Sequence, residues 1–210
     1  MNMVAKQNLI LKYGQKFASR KQSHPVLRGI HYAEGGNIYV TNAFYALRIQ
    51  NAHEYSEPFT TDAWTGEAIH DTFPNIENVF PTDFHNTIEI RSEQIQNTVR
   101  RIKWAHDITK SLKIENRLVS LISKNEEIYL KLKTSDVYLK SKIPHTTAAI
   151  IDDLEIGLNA EYLYNTFKLF EDAGTHSLKI KPGQEVTSPI TFEDEDNGIT
   201  VIILPVIKQR

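Results

Sequence analysis

Apolar and polar residues alternate through "HPVLRGIHYAEGGNIYVTNAFYALRIQ", residues 24–50. A period of two marks half-buried strands. The pattern predicts strands over Val26–Ala33, Ile38–Thr41 and Tyr45–Gln50, with Gly35-Gly36 making the hairpin turn. Upstream, Ile10, Tyr13 and Phe17 fall at helical spacing, which predicts a helix near Lys6–Arg20.

The same order recurs twice. "TIEIR" (Thr87–Arg91) reads as a strand, Ser92 as the cap of a helix running to about Thr109, and "RLVSLIS", "EIYLKLKT" and "DVYLKSKI" as three strands. Further on, "LEIGL" (Leu154–Leu158) is a strand and Asn159 a helix N-cap. The helix Ala160–Phe170 aligns Leu163, Phe167 and Phe170 and ends at Gly174. "SLKIK", a "PGQE" turn, "SPITFE" and "ITVIILPVI" complete that unit. The chain therefore reads as an α+β protein of three βαβββ modules with antiparallel sheets and helices on one side, linked by Asn51–Asn86 and by "HTTAAIIDD". A module pairs with a second one to bury its sheet edge and helix, so three modules leave one without a partner.

Composition narrows the chemistry. Among 210 residues there is no cysteine, which excludes disulfides, thiolate zinc sites and cysteine nucleophiles. No apolar run approaches a membrane span and no signal-peptide core follows Met1, so the expected location is cytoplasmic. A formal charge of −2 means that any grip on nucleic acid must come from a local basic face. Two His-Asp pairs, His70-Asp71 and His106-Asp107, stand where a metal phosphohydrolase would need more ligands than the neighbouring positions supply. "AEGGN" is too short and wrongly placed for a phosphate loop, and neither HExxH nor Gly-x-Ser-x-Gly occurs. The expectation is a protein without catalytic residues, metal or cofactor.

Three stretches then carry a likeness. "IGLNAEYLYNTFKLF…SPITFEDEDNGITVIILPVI" resembles the carboxyl end of the bacterial DNA polymerase III β subunit, the sliding clamp. "FPNIENVFP" (Phe73–Pro81) is similar to that family's inter-domain connector, and "HPVLRGIHYAEGGNIYVTNAFYALRI" to a stretch of its middle domain. The resemblance implies one and a half clamp domains: residues 1–81 as half of the middle domain plus connector, and 82–210 as the complete last domain. Asn42-Ala43-Phe44-Tyr45 departs from the family's Asp-Gly-His-Arg, making that loop bulkier and less charged.

What the resemblance implies for function is a groove that takes short apolar peptides of replicative or repair DNA polymerases and other partners. Its walls would be Leu27, Thr41, Ala43, Phe44 and Ala46 from the first module, Pro81 from the connector, and Tyr162, Val186, Ser188, Ile202 and Leu204 from the last. From pattern alone, Leu27, Val186, Ile202 and Leu204 read equally as ordinary core. A second implied surface faces double-stranded DNA: Lys12, Lys16 and Arg20 on the first helix, and Arg100, Lys103 and Lys110 on the second. Without the family these are a solvated helix face, and the last helix, with Glu161, Glu171 and Asp172 against Lys168, is not basic. The alternative function is a clamp mimic, an adaptor or decoy that occupies clamp-binding motifs without DNA; a weaker one is a metal hydrolase. The odd module predicts either self-association through an open sheet edge or a linker folded on that edge. Pro58, Gly66 and Pro74 make the linker a poor strand and favour a homo-oligomer.

Overall fold

The computed structural model describes residues 1–81, 86–149, 153–183 and 185–207. The expected linker over His145–Asp153 and the turn over Pro182–Glu185 lie partly outside them, at 150–152 and at 184. The chain divides into two compact units: Met1–Pro81 with Glu193–Ile202, and Thr82–Phe192 with Ile203–Arg210. Residues Glu193–Ile202, which the sequence assigns to the carboxyl-terminal domain, thus belong to unit 1.

Unit 1 opens on helix α1 (Met3–Phe17), capped by the Asn2 side chain, which accepts the Ala5 N–H. It starts and ends three residues before the expected Lys6–Arg20. Ala18 is already extended, and the Ser19 N–H donates to the Leu27 carbonyl at 2.7 Å, so Arg20 lies outside the helix. Before β1 (Gly29–Tyr32), the predicted strand start at Val26 is instead a 3-10 turn, Pro25–Arg28, with proline in its first turn. β2 (Ile38–Thr41) and β3 (Tyr45–Ile49) follow antiparallel, β2 as predicted to the residue. Among the described residues the first element of this module is α1, and its described part reads αβββ.

The linker holds strands after all. β4 (Phe59–Asp62) pairs antiparallel with β1, from Gly29–Asp62 to Tyr32–Phe59, and β5 (Ala68–Ile69) pairs with β4. Pro58 and Gly66 flank the strand instead of interrupting it. Arg28 bonds Asp62 in two places and stacks over Trp64, fixing the hairpin. The β1 edge expected to recruit another subunit is therefore covered by the chain's own linker.

The two faces of the unit 1 sheet are buried differently. Leu9, Ile10, Tyr13 and Phe17 are buried on α1, Phe17 stacks on Tyr45 at 4.5 Å, and the Tyr45 hydroxyl donates to the Lys16 carbonyl. A separate cluster joins Tyr39, Ala46, Phe73, Phe80 and Ile202. The connector thus supplies the apolar cover, and polar groups hold it there. Tyr39 donates to Glu77, its hydroxyl pKa pushed up to about 12 by burial and by that carboxylate. Arg48 pairs with Glu77 at 2.8 Å, lies over the Phe80 ring and donates to Thr200.

His31 stacks on Phe73 with ring centroids 4.6 Å apart and shares a 2.9 Å hydrogen bond with Thr60. Burial, and then the neighbouring His53, hold its imidazole below the ordinary histidine pKa. The unfolded chain therefore takes up a proton here at a higher pH than the folded one does. The stability His31 allows is complete above about pH 6.5 and falls as pH drops below it. Thermal melts should show a falling midpoint from pH 7 to pH 5, and His31→Gln should flatten that segment. An unchanged pH slope in the variant would assign the acid sensitivity elsewhere.

Unit 2 contains two modules that exchange their leading strands. β6 (Thr87–Arg91) and α2 (Ser92–Ser111) lead into β7 (Leu118–Lys124), β8 (Glu127–Lys133) and β9 (Tyr138–Ile143). After β10 (Thr147–Ala149) come β11 (Glu155–Asn159), α3 (Ala160–Asp172), β12 (Ser177–Pro182) and β13 (Ile190–Asp194), whose last two residues belong to unit 1. β6 pairs with β12 of the second module and β11 with β7 of the first, giving strand orders β10-β6-β12-β13 and β11-β7-β8-β9. α2 and α3 pack on each other. Arg91, not Ser92, is the N-cap of α2, its N–H donating to the Gln94 side chain; Asn159 caps α3 as expected. The last strand, β14 (Ile199–Ile203), lies beside β3 and extends the unit 1 sheet to β14-β3-β2-β1-β4-β5.

Candidate functional site

Of the expected groove residues, seven lie in unit 1. Leu27 is half-buried in the 3-10 turn, and Pro81 is half-buried at the end of the connector. Ala46 and Ile202 are buried in the cluster with Tyr39, Phe73 and Phe80, so both are core of unit 1. Thr41 is buried and its hydroxyl is engaged, donating to the Tyr45 carbonyl at 2.9 Å and accepting the Ala43 N–H at 3.1 Å. The Asn42 side chain accepts from the N–H groups of Phe44 and Tyr45. This closed turn places Ala43 at φ +75°, a conformation that costs an L-residue about 1–2 kcal/mol. It also leaves Phe44 exposed at its tip. The turn therefore presents an aromatic ring to solvent.

Four lie in unit 2. Tyr162, Ser188 and Leu204 are half-buried, and Val186 is 54% exposed. Val186 borders a pocket of about 320 Å³ lined by Ser120, Glu155, Gly157, Val186, Thr187, Val206 and Ile207. Its floor is the edge of β11 and β7. Its wall is the segment after β14, anchored by the Val206 N–H donating to the Gly157 carbonyl at 2.8 Å. The carboxylate in the lining, Glu155, is paired with Lys131 at 3.1 Å, which leaves the cavity apolar in character. A β-carbon on Gly157 would stand 2.7 Å from the Val206 carbonyl oxygen and 3.0 Å from a Leu118 methyl. Glycine is thus required for the wall to lie this close. Sequence reasoning missed Gly157, Val206 and Ile207. The available signal was glycine inside a strand, which marks the close approach of another backbone.

The basic set is uneven. Lys12 and Lys16 are exposed on α1 with their ammonium groups over the Tyr13 ring, at 5.7 and 4.5 Å. Arg20 is exposed but off the helix. On α2, Arg100, Lys103 and Lys110 are exposed, with Lys103 paired to Asp107 at 2.7 Å and Trp104 exposed beside it. That ion pair lowers the Asp107 pKa and raises that of Lys103. His106 shares a 3.1 Å contact with Asp107 and stacks on Tyr164. Among the described residues no group of three or more His, Cys, Asp or Glu could hold a metal ion, and no helix is long and apolar enough to cross a membrane.

A scan against protein-family models returns no match for this sequence, and a search of curated proteins returns none. Solved structures do match. The DNA polymerase III beta chain of Streptococcus pneumoniae TIGR4 aligns at TM-score 0.76 and 17% identity, over 99% of this chain and 64% of that one. The beta subunit of Streptococcus pyogenes gives 0.79 and 16%, over 98% and 64%. The fold is that of the sliding clamp. A clamp of Bartonella birtlesii, bound to griselimycin, gives 0.79 and 13%, over 97% and 64%. The chain therefore spans just under two thirds of the clamps it matches. At such identity the likeness is one of fold.

Proposed function

We propose that this clamp-like chain is a non-catalytic binding module for short apolar peptide segments, of the kind carried by replicative or repair polymerases and their partners. The observation that carries the reading is the unit 2 pocket. It is a concave apolar cavity of about 320 Å³ with two exposed branched apolar side chains, Val186 and Ile207, in its lining. A cavity of this size suits one or two anchoring side chains, which supply most of the energy in short-peptide recognition. The likeness to clamps, one of them bound to griselimycin, supports the same reading. Support for DNA tracking is thinner, because Arg20 is off the helix and Lys103 is neutralised by Asp107. The reading thus favours the adaptor side of the clamp repertoire.

The test is titration of a labelled peptide carrying a glutamine and bulky apolar residues against the wild type and Val186→Asp. Val186 is exposed, so the variant should fold, which circular dichroism checks. A carboxylate facing a bound apolar side chain costs about 2–3 kcal/mol, so affinity should fall by about 30- to 140-fold. Equal affinity in both proteins would remove the pocket from the function.

A further inference from the structure

We propose that the peptide bound in the unit 2 pocket carries an acidic flank, which lies across the solvent face of β7, β8 and β9. This deepens, and rests on, the reading of that pocket as a peptide site. The strand registers place pocket and face together. Gly157 of β11 pairs with Ser120 of β7, Ser120 with Lys131 of β8, and Lys131 with Lys140 of β9. Directly opposed residues of antiparallel strands point to the same side, so these four form one row on one face. Gly157 and Ser120 line the pocket, and Lys131 and Lys140 continue its row to the edge strand. The neighbouring row is Glu155, Ile122, Tyr129 and Lys142, and Glu155 lines the pocket too. The opposite face is the covered one: Leu121 and Leu130 are buried there, and Ser141 accepts a 2.9 Å hydrogen bond from Arg101 of α2.

The solvent face is short of anions. Lys124, Lys131, Lys133, Lys140 and Lys142 lie on it, against Glu127 and Glu155. The two glutamates are paired with Lys142 at 2.6 Å and with Lys131 at 3.1 Å. Among the described residues neither Lys133 nor Lys140 pairs with a carboxylate, and both are exposed. Lys140 instead sits 3.9 Å from the centroid of the Tyr129 ring. Lys131 and Lys140 stand directly opposite each other, a like-charge pair that destabilises a sheet and that a bound anion would relieve. Neighbouring strands are about 4.8 Å apart, so β9 lies about 10 Å from β7, which an extended peptide spans in about three residues. Charge complementarity therefore selects an extended segment with an apolar anchor in the pocket and aspartate or glutamate about three positions away. Nucleic acid fits less well, because the row of lysines ends in an apolar pocket and Glu127 and Glu155 would face its phosphates.

The experiment uses the full chain and the labelled pocket peptide of glutamine and bulky apolar residues, extended at each end by two glutamates or, as control, by two glutamines. The glutamate peptide should bind at least about tenfold more tightly than the control at low salt, and the advantage should shrink as salt is raised. Lys133→Glu with Lys140→Glu should erase the advantage, and Lys133→Gln with Lys140→Gln should reduce it. Both positions are exposed, so the variants should fold, which circular dichroism checks. Lys131 is left in place because it holds Glu155 in the pocket lining. Equal affinity of the two peptides, or an advantage that persists in the Lys133→Glu, Lys140→Glu variant, overturns the inference. Control-peptide binding that Val186→Asp weakens would, in that case, keep the pocket reading. Binding of neither peptide overturns both. Oligonucleotide binding abolished by the same two lysine substitutions, with no difference between the peptides, assigns the face to nucleic acid and overturns the inference equally.

Discussion

A fragment ending at Pro81 should not fold, whereas the same fragment joined by a short linker to residues 193–203 should. The reason is that β14 is the neighbour of β3 in the unit 1 sheet. Its Ile202, 2% exposed, belongs to the cluster with Tyr39, Ala46, Phe73 and Phe80. Removing one buried isoleucine and leaving the void costs about 2–5 kcal/mol. The fragment also loses the ladder to β3, the Gln50 N–H bond to the Gly198 carbonyl at 2.9 Å, and the Arg48 bond to Thr200. A domain of this size is stable by about 5–15 kcal/mol at most, so the sum decides against folding. Far-ultraviolet circular dichroism and amide dispersion in a proton–nitrogen correlation spectrum would read the outcome. A dispersed spectrum for residues 1–81 alone would show that β14 is dispensable to unit 1.

Gly157→Val should remove peptide binding by evicting the pocket's own wall. The new side chain would meet the Val206 carbonyl, a backbone atom that cannot rotate aside. Overpacking of this kind costs about 1–3 kcal/mol if the strand yields. The cheaper response is for the segment carrying Leu204–Ile207 to leave β11, taking Val206 and Ile207 from the pocket. Hydrogen exchange should show the Val206 amide, which donates to Gly157 in the native protein, losing its protection. Peptide affinity should fall by at least about 30-fold, as for Val186→Asp. Full binding with the Val206 amide still protected would separate the wall from the site.

The fold was legible wherever burial follows a strict local period. β2 and β6 fell on Ile38–Thr41 and Thr87–Arg91 because alternation there is unbroken, and α3 began where Asn159 accepts two backbone N–H groups. Failures arose where distant contacts override the local pattern. α1 continues amphipathic to Arg20 on paper, but the Ser19 bond to Leu27 ends it at Phe17. Pro25 turns the start of the first strand into a 3-10 turn. The linker strand β4 is short, and its partner β1 lies about thirty residues upstream, beyond any local period. The placement of β14 was equally hidden, because its residues are buried on both faces and show no alternation. In the candidate site, Val186 was named through the resemblance, while Gly157 could have been read directly as a glycine that a strand tolerates only for close approach.

The division of unit 1 between the two ends of the chain has a consequence for synthesis. The ribosome delivers α1, the five strands β1–β5 and the connector early, but the strand that closes their sheet comes only after all of Thr82–Phe192 has been made. Unit 2 depends far less on chain made so late, since its module pair and strand exchange are complete by β13. The nascent protein should therefore acquire its carboxyl-terminal domain first and spend that interval with the β3 edge and the Tyr39–Phe80 cluster uncovered. Such a stretch is a ready substrate for holdase chaperones, and slowing elongation downstream of Pro81 should lower the soluble yield rather than raise it.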